Sequence, residues 1–192
     1  MKIVQLEIGS AWLAESNIWL DDRGSFREWF KFDEIKETTQ GAFEVRQANI
    51  SVSNKGVLRG IHYSLAESGQ AKWVTCTSGH ILDFIVDIRP NSSTYKKYVS
   101  VDLKADFGRA VLIGAGLGHA FLSLEDGSVV SYLLDSPYSP SEEFEINPMD
   151  PELGIDWQLG LVGGMGVIMS PKDAKAPTLA ERLAQGKLPR LK

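Results

Sequence analysis

The stretch GVLRGIHYSLAESGQAKWVTCTSGHILDFIVD, residues 56–87, decides the fold that the sequence predicts. Apolar and polar residues alternate along it, as they do in antiparallel strands with one buried face. Residues two apart on a strand point to the same side of a sheet, so Lys72, Val74 and Cys76 are expected to share a face. Turns between the strands are indicated by the glycines at positions 56, 60, 69 and 79.

Charged and titratable side chains occupy the polar positions of this stretch: Arg59, His62, Lys72 and Asp83. Two cations and an imidazole on neighbouring strands suggest a pocket for an anion that undergoes proton transfer. A solvated sheet face with scattered charges explains the spacing equally well. The spacing of these residues therefore leaves both interpretations open.

Short apolar strands separated by turn residues continue on both sides of this stretch. Residues 43–53 predict a strand with a row of amide and hydroxyl side chains on one face. Residues 109–140 contain three more strands, with a hairpin turn predicted at residues 125–127. Turn signals about every eight to twelve residues favour an all-β sandwich or barrel.

Helices are expected at only two places in the chain. Residues 32–41 predict a short helix ending at Gly41, and residues 178–185 predict another, with Gly186 as its stop. Residues 141–157 are punctuated by proline and are expected to form an irregular surface excursion.

Length and composition predict one soluble globular domain spanning residues 1–192. Hydrophobic residues make up 43% and charged residues 23% of the chain, and a net charge of -5 argues against a general nucleic-acid binder. No apolar run is long enough to span a membrane and the start lacks a signal-peptide pattern, so a cytoplasmic location is predicted. The single cysteine, Cys76, excludes an intrachain disulfide and is expected to be buried rather than nucleophilic.

Nine short motifs follow one another along nearly the whole chain: DDRGSF, QANIS, KGVLRGIHY, QAKWV, DFIVDIRPNS, GHAF, SYLL, DPELGIDW and SPKD. In this order they resemble the dTDP-4-dehydrorhamnose 3,5-epimerase family. The resemblance implies a cupin-type jelly-roll β-sandwich with a few short peripheral helices. It also implies epimerisation of a dTDP-4-keto-6-deoxyhexose at C3, C5 or both. RGIHY, GHAF and SYLLDSPY look closer to the branch that makes deoxysugars for antibiotics than to many double epimerases.

Metal-binding cupins supply an HxH pair, a carboxylate and a further histidine. This chain keeps the last histidine, His119, but has no HxH pair, and three isolated histidines are a poor basis for a catalytic metal site. The resemblance likewise implies an enzyme without a metal or an organic cofactor. His80 follows Gly79 and is expected to be an exposed turn residue.

The implied chemistry explains the residue types. A C4 ketone acidifies the protons at C3 and C5, so the enzyme needs a base, a cation at the enolate oxygen and an acid on the opposite face. The resemblance makes His62 the base, oriented by Asp173, and Lys72 the cation at the enolate oxygen. Tyr132 is the implied acid. Tyr138 competes for that role but fits a nucleotide contact better.

The resemblance also assigns residues that bind the sugar nucleotide: Arg23, Glu28, Gln47, Asn49, Arg59, His119, Tyr138, Glu143 and Lys172. Arginine suits the diphosphate because its planar fork can make paired hydrogen bonds. Asp83 is expected to position Lys72 or His62, or to be structural. Family members are homodimers in which an N-terminal segment reaches the neighbouring site. That arrangement would explain the aromatic side chains of this segment: Phe26, Trp29 and Phe30.

Two other functions remain open at this point. A related cupin isomerises the ketone position of the same substrate with a histidine base, but the presence of both Tyr132 and Asp173 favours epimerisation. A non-catalytic cupin that binds sugar nucleotides would predict a broken dyad, whereas His62 and Asp173 are both present. A metal-dependent cupin dioxygenase is disfavoured by the missing HxH pair.

Overall fold

The described part of the chain is built mainly of β-strands. The computed structural model describes residues 1–39, 43–67, 69–164 and 166–191. Its strands, numbered in chain order, are β1 (Lys2–Gln5), β2 (Ala11–Glu15), β3 (Trp19–Asp21), β4 (Gly24–Phe26), β5 (Gln47–Ser53), β6 (Leu58–Ser64), β7 (Lys72–Ser78), β8 (His80–Asp87), β9 (Tyr98–Lys104), β10 (Arg109–Ile113), β11 (Leu117–Ser123), β12 (Ser128–Leu134) and β13 (Glu143–Glu145). The helices are short: α1 (Phe32–Thr39), α2 (Pro171–Ala174) and α3 (Leu179–Ala184). The predicted all-β class with a few short helices is confirmed.

Two antiparallel sheets pack face to face. The six-stranded sheet has the order β1-β2-β10-β7-β12-β5, and the five-stranded sheet has the order β13-β6-β11-β8-β9. Residues from both sheets meet in one buried apolar cluster, which lies between them. The hairpin β3–β4 belongs to neither sheet.

From β5 to β13 the chain alternates between the two sheets, with the hairpin β8–β9 as the exception. This alternation is that of a jelly roll and confirms the predicted fold. Residues 56–87, however, do not form neighbouring strands of one sheet, because Gly79, with a φ of 74°, turns the chain from β7 in one sheet to β8 in the other. The turn at residues 125–127 likewise links β11 to β12 across the sandwich, so the prediction of a hairpin there is wrong.

Apolar side chains form three layers. The central layer lies between the sheets and includes Val74, Ile85 and Val111. A second layer lies on the outer face of the five-stranded sheet, where Trp157 and other C-terminal residues pack. A third lies on the outer face of the six-stranded sheet and contains Ile35 of α1. Because full burial of one such side chain contributes about 1.5–3 kcal/mol, these layers hold the outer segments against the sheets.

The two predicted helices are both present. In α3, the Thr178 hydroxyl accepts a hydrogen bond from the Glu181 backbone N–H at 3.2 Å, and the Glu181 carboxylate accepts one from the Thr178 backbone N–H at 2.8 Å. Gly186, with a φ of 64°, ends this helix as predicted. The predicted stop of α1, Gly41, lies outside the described residues. No helix in the described ranges is both long enough and apolar enough to cross a membrane.

Gly60 lies inside β6 and not at a turn, contrary to the prediction. Its φ is 114°, and a Cβ atom there would lie 2.5 Å from the His119 carbonyl oxygen and 2.6 Å from the Ala120 Cβ. Only glycine allows β6 to approach β11 this closely, at the point where the register between the two strands shifts. The same pairing sets His62 opposite His119.

Three smaller predictions have different outcomes. Cys76 is fully buried, as predicted, and burial raises the pKa of its thiol to about 11. His80 is not an exposed turn residue: it begins β8, and its side chain, 23% exposed, is held by Asp102. The strand predicted over residues 43–53 is shorter than expected, because Phe43 packs into the apolar layer on the outer face instead.

Candidate active site

Alternation along the strands turns a set of polar side chains into the space between the sheets. On β6, Ile61 and Tyr63 belong to the apolar layer on the outer face of the five-stranded sheet, so His62 points towards the space between the sheets. On β7, Val74 belongs to the central layer, and Lys72, two positions before it, shares its direction. The inward-facing polar set comprises Gln47, Asn49, Arg59, His62, Lys72, Asp83, His119 and Tyr132.

His62 and Asp173 form a hydrogen-bonded pair. His62 Nε2 lies 2.7 Å from Asp173 Oδ1, although the two residues are 111 positions apart in the chain. Asp173 lies in α2, where its backbone N–H donates to the hydroxyl of Ser170, the cap of that helix, at 3.0 Å. Burial acts to raise the pKa of Asp173, but hydrogen bonds, including those from His62 and the Gly60 backbone, outweigh it and lower the pKa. The pair therefore consists of an ionised carboxylate hydrogen-bonded to an imidazole ring.

Lys72 presents an ammonium group to the interior. The residue is 8% exposed, and burial lowers its pKa, while the charges of Glu143 and Asp83 act in the opposite direction. Within the part of the chain that the structure describes, Lys72 Nζ makes no hydrogen bond or ion pair. Because a mostly buried ammonium group is costly without a hydrogen-bond acceptor, we expect a negatively charged oxygen of a ligand to bind Lys72 Nζ.

The two candidates for a proton donor occupy different positions. Tyr132 lies on β12 in the six-stranded sheet, in register with Asn49, and packs against the central apolar layer. It therefore projects into the interior from the sheet opposite to that of His62. Tyr138 is 56% exposed, and its backbone N–H donates to Gln47 Oε1 at 2.8 Å. Tyr132 is thus an internal group, and Tyr138 is a group at the rim.

A second histidine–aspartate pair lies within the five-stranded sheet. His119 Nε2 is 2.7 Å from Asp83 Oδ2, and Asp83 is fully buried. Its other oxygen, Oδ1, has no hydrogen-bond partner among the described residues. Asp83 thus bonds to His119, since β8 and β11 are neighbours, rather than to Lys72 or His62, and it influences Lys72 through its charge.

Four of the predicted binding residues lie around these groups. Gln47 Nε2 donates to Asn49 Oδ1 at 2.9 Å, which fixes both amides on the inner face of β5. Arg59, on the five-stranded sheet, donates through Nε to the Ser53 hydroxyl at 3.1 Å, and Ser53 ends β5 of the six-stranded sheet. Glu143 lies on β13 beside β6, close enough for its charge to act on Lys72.

Arg23 and Glu28 do not join this group. The Arg23 side chain is 90% exposed at the tip of the β3–β4 hairpin, where it pairs with Asp21 at 2.5 Å. Glu28 lies 3.6 Å from Lys31 and is also open to solvent. In the described residues neither side chain contacts an inward-facing polar residue of the same chain.

The aromatic side chains of the N-terminal segment differ in burial. Phe26 is 65% exposed in the β3–β4 hairpin, beside Trp19. Trp29 and Phe30 instead pack in the outer layer of their own chain, and the Trp29 carbonyl accepts a hydrogen bond from Trp73 Nε1 at 2.9 Å. Of the three aromatic residues expected to serve a neighbouring site, only Phe26 is free to do so.

The irregular excursion predicted at residues 141–157 contains β13. The ring of Phe144 stacks on that of Tyr63 with centroids 5.9 Å apart, so Phe144 joins the outer apolar layer. Glu143 and Glu145, on either side of it, therefore face the other way, towards the interior. The alternation of the Glu-Phe-Glu triplet is the signal that could have predicted this strand.

Glu145 is a site residue that the sequence analysis missed. It lies on β13 directly opposite His62 on β6. Its carboxylate is 2.9 Å from Lys172 Nζ and 3.1 Å from Arg182 Nη2. Lys172, a predicted binding residue, is thus held by Glu145 in this structure.

All three histidines are paired with aspartates: His62 with Asp173, His80 with Asp102, and His119 with Asp83. Among the described residues no group of three or more His, Cys, Asp or Glu side chains is arranged to hold a metal ion.

Comparison with known proteins points to one family. A family model described as dTDP-4-dehydrorhamnose 3,5-epimerase matches residues 5–181. A dTDP-4-dehydrorhamnose 3,5-epimerase from Mycobacterium tuberculosis is 40% identical over 190 residues, which cover 99% of this chain and 93% of the relative. The similarity therefore extends along nearly the whole of both proteins.

Solved structures agree with the sequence comparison. That of an epimerase from Mycobacterium tuberculosis has a TM-score of 0.95 at 40% identity, covering 99% of this chain and 94% of the other. That of a 3'-monoepimerase from Streptomyces bikiniensis, in complex with dTDP-quinovose, has a TM-score of 0.91 at 41% identity, covering 96% and 91%. Sequence identity is thus nearly the same to a protein named as a 3,5-epimerase and to one named as a 3'-monoepimerase.

Proposed function

Because this chain belongs to the dTDP-4-dehydrorhamnose 3,5-epimerase family, we propose that it is an isomerase that epimerises a dTDP-4-keto-6-deoxyhexose in deoxysugar biosynthesis. The observation that carries this proposal is the position of His62 and Tyr132 on opposite sheets of the sandwich. A flat enolate between them can lose a proton from one face and gain one on the other, which is what inversion requires. Inversion takes place at C3, C5 or both.

His62 is the proposed base. Its Nε2 faces Asp173, so Nδ1 is the nitrogen available to the sugar. When Nδ1 takes the proton from C3 or C5, the electron pair of the broken C–H bond moves towards the C4 oxygen, and the Asp173 carboxylate stabilises the imidazolium. Lys72, whose Nζ makes no hydrogen bond or ion pair among the described residues, would bind the oxygen that becomes negative.

Tyr132 is the proposed acid. Its phenol would donate a proton to the opposite face of the same carbon, which restores the ketone with inverted configuration. The phenolate then regains a proton from solvent, and the imidazolium loses its own, so no proton is gained or lost overall. Tyr138, exposed at the rim, is proposed to contact the nucleotide. The reaction needs neither a metal nor an organic cofactor.

For substrate binding we assign the diphosphate to Arg59 and His119. The sugar and nucleotide are assigned to Gln47, Asn49, Glu143 and Lys172. We further propose a cytoplasmic homodimer of single cupin domains, in which the N-terminal segment of one copy supplies Arg23, from the β3–β4 hairpin, and Glu28, just after it, to the site of the other. The exposure of Arg23, Trp19, Leu20 and Phe26 supports this arrangement, since apolar residues of a hairpin gain from burial against a second copy.

Proton NMR of dTDP-4-keto-6-deoxyglucose, incubated with the protein in deuterated water, tests the proposal. We expect deuterium to replace the proton at C3, C5 or both, and the configuration of the product identifies the inverted carbon. Exchange accompanied by movement of the ketone to another carbon would instead identify a ketoisomerase. Binding without any exchange would identify a sugar-nucleotide-binding protein without catalysis and would overturn the proposal.

A further inference from the structure

Glu145 lies beside the histidine–aspartate pair. Its position on β13 is directly opposite His62 on β6, and opposed residues of paired antiparallel strands project from the same face of the sheet. The side chain of Glu145 is 13% exposed. Its carboxylate is therefore a largely buried charge on the same face as the imidazole of His62.

Each carboxylate oxygen of Glu145 meets a cation from the C-terminal segment. Oε1 accepts a hydrogen bond from Arg182 Nη2 at 3.1 Å, and Oε2 is 2.9 Å from Lys172 Nζ. Arg182 also donates through Nε to the Glu145 backbone carbonyl at 2.9 Å, and its guanidinium lies 5.3 Å from the centre of the Phe144 ring. One residue of β13 thus holds both α2, through Lys172, and α3, through Arg182.

Contacts with its surroundings, those of Glu145 among them, hold α2 in position. It has four residues, and a helix of one turn is not stable by itself. Asp173, the residue that it contributes to the site, directly follows Lys172. The ion pair of Lys172, which lies in α2 itself, is weak because its side chain is 60% exposed. The more buried contact of Glu145 with Arg182 holds α3, which follows α2 in the chain and fixes the far end of the same segment.

We propose that Glu145 is a positioning residue for the reaction. By binding Lys172 and Arg182 together, it fixes the C-terminal segment against β13 so that Asp173 stays within hydrogen-bonding distance of His62. This inference rests on the proposed function for its kinetic consequence, but its structural consequence can be measured without substrate.

The test is the variant Glu145→Gln, which keeps the size of the side chain and removes its charge. With histidine labelled by 15N, NMR resolves the ring nitrogens of three residues, each paired with an aspartate. We expect the signals of His62 to move, because its bond to Asp173 is loosened, and those of His80 and His119 to stay in place. We expect kcat to fall about tenfold, since small displacements of catalytic groups cost that much or more.

A second variant and a control complete the experiment. Arg182→Gln should move the same His62 signals while leaving Lys172, a proposed substrate ligand, in place. Glu152→Gln removes the ion pair between Lys96 and Glu152, which lies outside the site, and should change neither the NMR signals of His62 nor kcat.

Two failures can be told apart. Unmoved His62 signals and an unchanged kcat in Glu145→Gln, with the wild-type protein active, would overturn the positioning role and leave the proposed function intact. A wild-type protein without deuterium exchange would overturn the proposed function, while the His62 signals would still report whether Glu145 holds Asp173 in place.

Discussion

The two histidine–aspartate pairs inside the sandwich are built from different parts of the chain. His119 and Asp83 lie on the adjacent strands β11 and β8, and both are buried. His62 also lies on a strand, but Asp173 comes from a one-turn helix, and the His62 side chain is 41% exposed. The first pair is as rigid as the sheet that contains it, whereas the second depends on how the C-terminal segment docks. The more exposed pair, His62 and Asp173, suits proton exchange with a substrate. The buried pair, His119 and Asp83, suits a rigid binding contact with the substrate.

Replacing the two histidines gives the largest expected effects. We expect His62→Ala to lower the rate of deuterium exchange about a thousandfold, because the base is lost, while calorimetry still detects binding of dTDP. His119→Ala should instead weaken binding and retain exchange at saturating substrate. His80→Ala, in a histidine pair outside the site, is the matched control. An equal loss of exchange in the His62 and His119 variants would contradict the assignment of catalysis to the His62 pair and of binding to the His119 pair.

The variant Tyr132→Phe tests the difference between the two histidine–aspartate pairs from the opposite, six-stranded sheet. We expect a loss of net epimerisation of about a hundredfold, because the acid is missing, with deuterium exchange retained at one carbon. Adding His62→Ala should then abolish the remaining exchange, whereas adding His119→Ala should not. NMR in deuterated water measures all three variants. Full epimerisation by Tyr132→Phe, together with its loss in Tyr138→Phe, would transfer the acid role to Tyr138.

The two aspartates should differ in the kinetic parameter that they affect. We expect Asp173→Asn to lower kcat about a hundredfold, because the partner of the base loses its charge. Asp83→Asn should mainly raise KM, since Asp83 bonds to the proposed diphosphate ligand His119. Steady-state kinetics of both variants separates the two effects. A larger loss of kcat in Asp83→Asn than in Asp173→Asn would reverse the assignment of the pairs.

The smallest expected effect is on stability in acid. The pKa of Asp173 is lowered in the folded protein, so its contribution is complete above the ordinary carboxyl value of about 4 and is lost as the pH falls below it. We expect Asp173→Asn to reduce the free energy of unfolding by about 1.5 kcal/mol at neutral pH, and by less at about pH 3. Urea unfolding at the two pH values measures the difference. A loss of stability that is the same at both values would mean that the charge of Asp173 contributes nothing.

The sequence could predict the main chemical groups because they lie within recognisable motifs. His62, Lys72 and Tyr132 each occupy a motif of the family, and the alternation of β6 and β7 indicates which of their neighbours share a face. Alternation alone left a ligand pocket and a solvated face equally possible. The motifs therefore supplied what the spacing of charges did not.

Contacts between distant elements could not be predicted in the same way. Periodicity specifies the faces of a strand but not the sheet that it joins, so the separation of His62 and Lys72 onto opposite walls was missed. The partner of Asp83 follows from the pairing of β8 with β11, and that of Glu145 from the docking of α2 and α3 on β13. Such contacts depend on packing between segments that no local pattern encodes.

Because the proposed base and acid lie on separate sheets, the distance between them depends on side chains that lie away from the substrate. The apolar layer between the sheets is a spacer, and because protein interiors are close-packed, its side-chain volumes set the gap that a sugar ring must fill. Val130 is buried in this layer two positions before Tyr132 and faces the same way. We expect Val130→Ala and Val130→Ile to change the ratio of singly to doubly inverted product, as read from the NMR spectrum of the mixture. Stereochemical outcome would then be tuned by methyl groups that never touch the substrate.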